Sequence, residues 1–310
     1  MTLYPKRVAA KIVETAQMRR MIARTADMHL FSSLMVWVGR SRLGKTTTAN
    51  VMNKKLNADF SSDNPDAFRS VYYQVGEIEG KNLQKKGIRS LYHACFGQLE
   101  EGVYRSNSAE DLAKMTVEAL QIKNIEMIFI DEAGNLPLDA IRGMVLVSDT
   151  AVEMDWTLTL VFIGMDDLPI KMVRLPQIDN RTHEWCYFKP YSLDETLYLL
   201  QQLEPYFSGY SLNNDSHREQ IEFIHEQFGG TPGLIVPFLR RLTNRLSDFN
   251  GVIDLRALMG VQLTFLRDKD AATSDSQNSY IGVVEQKSAQ DLLAGTCIPT
   301  PKRRGKHAKG

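Results

Sequence analysis

The chain lacks any apolar run near the ~20 residues that span a bilayer, which argues against a transmembrane helix. Its opening stretch, MTLYPKRVAAKIVETAQMRR, carries early positive charge but no apolar core and no cleavage pattern. A cytosolic helix is expected there rather than a signal peptide. Cysteine is scarce. Cys95, Cys186 and Cys297 are far apart and odd in number, and no pair has the spacing of metal ligands. That argues against a disulfide framework or a zinc ribbon and leads to the expectation of a reduced, intracellular protein. Net charge is also missing: 37 Lys and Arg balance 37 Asp and Glu. The final stretch, TCIPTPKRRGKHAKG, holds five basic residues and no acid, which leaves 32 basic against 37 acidic residues elsewhere. Any contact with DNA must therefore come from a local patch or from many subunits acting together. No internal repeat is visible.

What is present is enough apolar residue, 43%, for a substantial core. Residues 5 to 29 read as a helix rich in Met, Ala and Arg. LMVWVG reads as a short buried strand, Lys45 to about Leu56 as a helix, and RSVYYQVG as a second strand. KNLQKKGIRSLYHACFGQLE has apolar residues near helical spacing. SAEDLAKMTVEALQIKN is a helix that Ser108 can cap, with Asp111 three residues on. IEMIFIDEAG and TLTLVFIGM are continuous apolar runs, as expected of central parallel strands buried on both faces, and the helix LPLDAIRGMVLVSDTAV lies between them. Strands alternating with helices predict a doubly wound α/β sheet. After Pro190 four helical segments follow in SLDETLYLLQQLEPYF, DSHREQIEFIHEQFGG, TPGLIVPFLRRLTNRLSDF and DLRALMGVQLTFLRD, and Ser192 with Glu195 forms a capping box at the first. The expected organisation is an N-terminal helical segment (1–30), an α/β nucleotide-binding subdomain (31–190), a helical lid (191–268) and a flexible basic tail (269–310).

The chemistry starts at GRSRLGKT, which fits G-x-x-x-x-G-K-[ST] between a strand and a helix. Its residues Gly39, Arg40, Ser41, Arg42, Leu43 and Gly44, with Lys45, Thr46 and Thr47, would wrap phosphate with backbone N–H groups at a helix N-terminus. Lys45 would reach the β- and γ-phosphates of ATP, and the Thr46 hydroxyl would ligate Mg²⁺. Asp131 ends the strand MIFID, where it can hold the Mg²⁺ shell directly or through water. Glu132 beside it can orient and polarise an attacking water. ATPases of this layout place a polar side chain after the next strand, at IGMDD, to sense the γ-phosphate. Met165 is apolar, so Asp166 is the nominal sensor, with an ordinary turn acid as the alternative. In KMVRLPQIDNRTHEW, an arginine could reach a neighbouring subunit's nucleotide and stabilise transition-state charge. Order along the chain favours Arg181 for that role, with Arg174 second.

Taken in order, GRSRLGKT, IFIDEA, LVFIGM, DNRTHEW and FGGTPGLI resemble the motifs of AAA+ ATPases over roughly residues 34 to 265. Within that superfamily the chain resembles the transposition regulators TnsC, TniB and MuB. The resemblance implies an AAA+ P-loop fold with a parallel sheet, flanking helices and an all-helical lid. It implies ATP-bound subunits that assemble as a ring or filament on double-stranded DNA, recruit the transposase and a target-selection protein, and come apart on hydrolysis. It implies the bacterial cytoplasm, on the nucleoid. In that group basic residues after the second strand contact DNA, which points to Lys81, Lys85, Lys86 and Arg89 in EGKNLQKKGIR. Such residues bind backbone phosphate without reading bases. The chain departs from the pattern at Met165 and at GGTPGLIVPFLRR, which has Arg240 and Arg241 but lacks the usual arginine near its glycines.

Two alternatives carry other expectations. A P-loop kinase acting on a small substrate shares the phosphate loop but not the combination of Glu132, a lid and an inter-subunit arginine. Another DNA-associated AAA+ role, in replication initiation or helicase loading, fits those parts. Initiators usually carry a winged-helix module after the lid, and the roughly 45 residues that follow here are short and polar for one.

Overall fold

Five short runs become the strands of one parallel sheet: β1 (Leu34–Val38), β2 (Arg69–Gln74), β3 (Ile125–Asp131), β4 (Thr159–Gly164) and β5 (Thr182–Tyr187). They are ordered β2-β3-β4-β1-β5. The computed structural model describes residues 12–31, 34–61, 63–64, 67–97, 108–175, 182–244, 253–255 and 257–261, all within one compact unit that spans residues 1–263. Every residue of β1 and β4 is buried, as is all of β3 except Glu126. That is why these strands read as unbroken apolar runs: helices cover both faces.

The pleat divides β1 between two cores. Leu34, Val36 and Val38 face one side, and Met35 and Trp37 the other. On the first side pack α3 (Leu83–Phe96), α4 (Ala109–Lys123) and α5 (Leu138–Glu153). On the second pack α1 (Ala16–His29) and α2 (Lys45–Asp59), with Met21, Ala49 and Met52 against Trp37, Phe129 and Ile163. Helices α3 and α5 touch backbone to backbone. A Cβ on Gly87 would stand 2.3 Å from the Ala140 carbonyl oxygen, and one on Gly143 would stand 2.1 Å from that of Gln84.

Ser108 Oγ accepts from the Asp111 N–H at 2.9 Å, as the capping pattern predicts. The first helix is shorter than the expected span of 5 to 29. Residues 12–15 are not helical, and residues 1–11 lie outside the described residues. Thr15 ends the extended segment: its hydroxyl accepts from the Met18 N–H and meets the Tyr191 hydroxyl at 3.1 Å, so the chain turns into α1 only at Ala16. Strand β5 has no counterpart in the sequence reading. Its residues THEWCY run from three polar side chains to three aromatic or apolar ones at the edge of the sheet, and it pairs with β1 from Leu34↔Thr182 to Val38↔Tyr187.

A short α6 (Leu168–Met172) follows β4, and α7 (Leu193–Leu203), α8 (Asp215–Phe228) and α9 (Pro232–Asn244) follow β5. The capping box of Ser192 and Glu195 opens α7. Of the fourth expected helix, residues 257–261 are helical and its last residues lie outside those described, as does the basic tail. Among the described residues no helix is long and apolar enough to cross a membrane.

Candidate nucleotide site

The register sets the site. Val38 pairs with Gly164 across β1 and β4, and Phe129 with Val161 across β3 and β4, so β1, β3 and β4 end on one edge of the sheet. Their following residues, Gly39 to Gly44, Glu132 and Met165, meet there. Ligands of open α/β sheets bind at this carboxyl edge.

The loop from Gly39 to Gly44 leads into α2 with Gly44 at φ +94°, a conformation open to glycine. No side chain caps α2, so its N-terminal dipole and N–H groups point at the loop. Lys45 is 8% exposed, and its Nζ donates to the carbonyls of Gly39 (2.6 Å) and Arg40 (2.8 Å). Burial pushes its pKa down, against the opposing pull of Asp131, Glu132 and Asp166.

Asp131 is 4% exposed. Its Oδ2 accepts from Thr46 Oγ1 at 2.6 Å and from the Tyr72 hydroxyl at 2.7 Å, and its Oδ1 accepts from the Glu132 N–H at 2.9 Å. Thr46 and Asp131 are adjacent hard oxygen donors beside a phosphate loop, a set that fits Mg²⁺, which keeps several waters and takes one or two protein oxygens plus phosphate. Glu132 is exposed, at φ +59°, and opens a 3-10 turn, Ala133–Asn135. Lys171 on α6 donates to the carbonyls of Gly134 and Leu136 and so ties that turn to the segment after β4. Asp166 is exposed and lies 3.9 Å from Arg40, a solvent-screened pair of little energetic weight.

A cavity of about 630 Å³ joins these parts. The phosphate loop, Asp131, Glu132, Gly164 and Met165 form one side. Ile12 and Val13 before α1, Tyr191 before α7, and Leu199, Val236 and Arg240 on the later helices form the rest. Helix α9 meets the loop directly: the Gly233 N–H donates to the Arg42 carbonyl at 3.0 Å. Arg240 therefore reaches the cavity although no arginine stands near the glycines of GGTPG. Arg174 is exposed and does not line the cavity, and Arg181 lies outside the described residues. Lys81, just before α3, and Lys86 on it are exposed, and Lys85 and Arg89 on α3 are half-buried; none lines the cavity. The Lys86 ammonium donates to the Glu79 carbonyl. The sequence reading did not find Tyr72, Tyr191, Ile12 or Val13. Only Tyr72 left a signal, an aromatic in the strand RSVYYQVG.

Residues 32–172 match the family model of the AAA domain. The fold is that of AAA+ P-loop ATPases. Among solved structures the chain is similar to the Aeropyrum pernix ORC1 protein in complex with DNA, at 15% identity and a TM-score of 0.56, covering 88% of this chain and 71% of that one. It is similar to the Aeropyrum pernix ORC2 protein in its ADPNP-ADP complexes, at 14% identity and a TM-score of 0.54, covering 82% and 68%. Domain III of the Thermotoga maritima replication initiation protein DnaA gives 12% identity and a TM-score of 0.50, covering 82% and 94%. At these identities the likeness is one of fold. No curated protein sequence matches the chain.

Proposed function

We propose that this AAA+ chain is an Mg²⁺-dependent ATPase that assembles with copies of itself on double-stranded DNA, in the manner of replication initiators or helicase loaders. The observation that carries the reading is the Asp131 carboxylate, bonded to Thr46 and set in one cavity with Lys45, Glu132 and Arg240. ATP phosphates would lie against the N-terminus of α2, and Lys45 would exchange its two loop carbonyls for phosphate oxygens. Thr46 and Asp131 would hold the Mg²⁺, which neutralises charge developing on the phosphates. Glu132 would orient the attacking water. Arg240 would report the nucleotide to the later helices, and Arg181, with Arg174 second, would act on a neighbour's nucleotide. Lys81, Lys85, Lys86 and Arg89 would contact backbone phosphate. The fold-level likeness to DNA-bound ORC1 and to nucleotide-bound ORC2 supports this reading.

Regulation of DNA transposition is the second reading, favoured by the sequence order of FIDEA, NR and GG-x-P-G. Assembly on DNA is common to both. Electron microscopy with duplex DNA and a slowly hydrolysed ATP analogue is expected to show rings or filaments that Lys45→Ala abolishes. Normal assemblies from Lys45→Ala would refute a nucleotide switch. Binding to a transposase rather than to a replicative helicase would decide for the second reading.

A further inference from the structure

Tyr72 is the one side chain bonded to Asp131 that no part of the proposed cycle uses. It sits on the edge strand β2, where Gln74 pairs with Asp131 of β3. Alternation sends Tyr72 to the α2 side of the sheet, while Val71 and Tyr73 face the opposite core. The ring thereby runs beside Thr46 and Asn50, one turn apart on α2, and the hydroxyl ends 2.7 Å from Asp131 Oδ2.

A carboxylate oxygen offers about two lone-pair sites. The Oδ2 of Asp131 fills both, with Thr46 and Tyr72, while Oδ1 accepts one N–H from Glu132. One acceptor site remains, on Oδ1. The Thr46 hydroxyl can keep its hydrogen on Asp131 and still present an oxygen lone pair to a cation. Tyr72 has only the first of these roles, and without it Oδ2 would keep a single donor.

We infer that Tyr72 is a positioning residue for the metal site: its hydroxyl fixes the plane of the Asp131 carboxylate, which together with Thr46 would hold Mg²⁺ beside the bound nucleotide. Partners that orient a ligating carboxylate are worth about 10- to 100-fold in metal affinity. The inference rests on the ATPase reading of the site, and the test keeps the two apart.

The test is Tyr72→Phe, which retains the ring and removes the donor. Binding of a fluorescent ADP is titrated with Mg²⁺ and repeated in EDTA, and Mn²⁺ binding to the nucleotide complex is followed by electron paramagnetic resonance. Thermal melting reports that the variant is folded. The Mg²⁺ and Mn²⁺ midpoints are expected to rise about 10-fold, while nucleotide affinity in EDTA stays at the wild-type value. An unchanged midpoint in folded protein overturns the inference. So does an equal loss of nucleotide affinity with and without metal, which marks a packing role. Wild-type binding that ignores Mg²⁺ altogether overturns the ATPase reading instead.

Discussion

Glu132 stands apart from Asp131, its neighbour in sequence, because the two residues face opposite constraints. Asp131 is buried with three donors around its carboxylate, whereas Glu132 is exposed to the cavity on a residue in the left-handed region. That backbone conformation costs about 1 kcal/mol, and Lys171 offsets it by bonding two carbonyls of the following turn. A carboxylate exposed to the cavity suits a group that must accept a proton from water. Glu132→Gln is expected to bind ATP with near wild-type affinity and to hydrolyse it about 100-fold or more slowly, the usual range for loss of a general base. Single-turnover hydrolysis alongside equilibrium binding checks this, and unchanged turnover removes Glu132 from the reaction. The role expected from sequence rested on adjacency to Asp131. Nothing in FIDEAG announced Lys171, 37 residues from Gly134, because side-chain to backbone ties across elements leave no local pattern.

At the scale of elements, the site depends on how α9 meets the phosphate loop. Gly233 donates to the Arg42 carbonyl, and a Cβ there would stand 2.6 Å from the Arg42 Cβ and 2.9 Å from its carbonyl oxygen. Gly233→Ala would push α9 away from the loop and withdraw Arg240 from the cavity. Overpacking of this kind costs about 1–3 kcal/mol. The expected result is a melting temperature lowered by several degrees and weaker binding of ATP, with Arg240→Ala weakening ATP binding without the loss in melting temperature. Calorimetry with both variants tests this, and equal ATP affinity in Gly233→Ala would show that the contact is not needed. The same contact explains the limits of sequence reading. Strands β1, β3 and β4 were legible because burial on both faces leaves an unbroken apolar run, and the Ser108 and Ser192 caps because capping is local. Strand β5 was not, since THEWCY opens on three polar residues and shows neither an unbroken apolar run nor a two-residue alternation. Arg240 was not, since its reach depends on the approach of Gly233 to a loop about 190 residues earlier, a distance no periodicity encodes.

For the whole molecule the open quantity is how a chain with no net charge would hold DNA. Glycines at the crossing of α3 and α5 fix the start of α3 against a rigid core, through Gly87 on Ala140 and Gly143 on Gln84. The basic residues there are thus carried on a firmly placed element on the side of the sheet away from α2. They are not equivalent. Lys81 and Lys86 are exposed, whereas Lys85 and Arg89 are half-buried, and the Arg89 Nε is fully shielded from solvent. The hydrogen bond from Lys86 to the Glu79 carbonyl leaves its positive charge in place, so it can still displace a counterion. Each phosphate contact contributes about 0.9 to the slope of log affinity against log salt. Replacing Lys81, Lys85 and Lys86 by Ala is therefore expected to lower that slope by about 2 to 3 per subunit, without changing preference among duplex sequences. Anisotropy titrations at several salt concentrations, on two unrelated duplexes with the ATP analogue present, measure it. An unchanged slope in the triple variant would move the DNA surface away from α3, whereas a lowered slope in which one duplex suffers far more than the other would mean that these residues read bases.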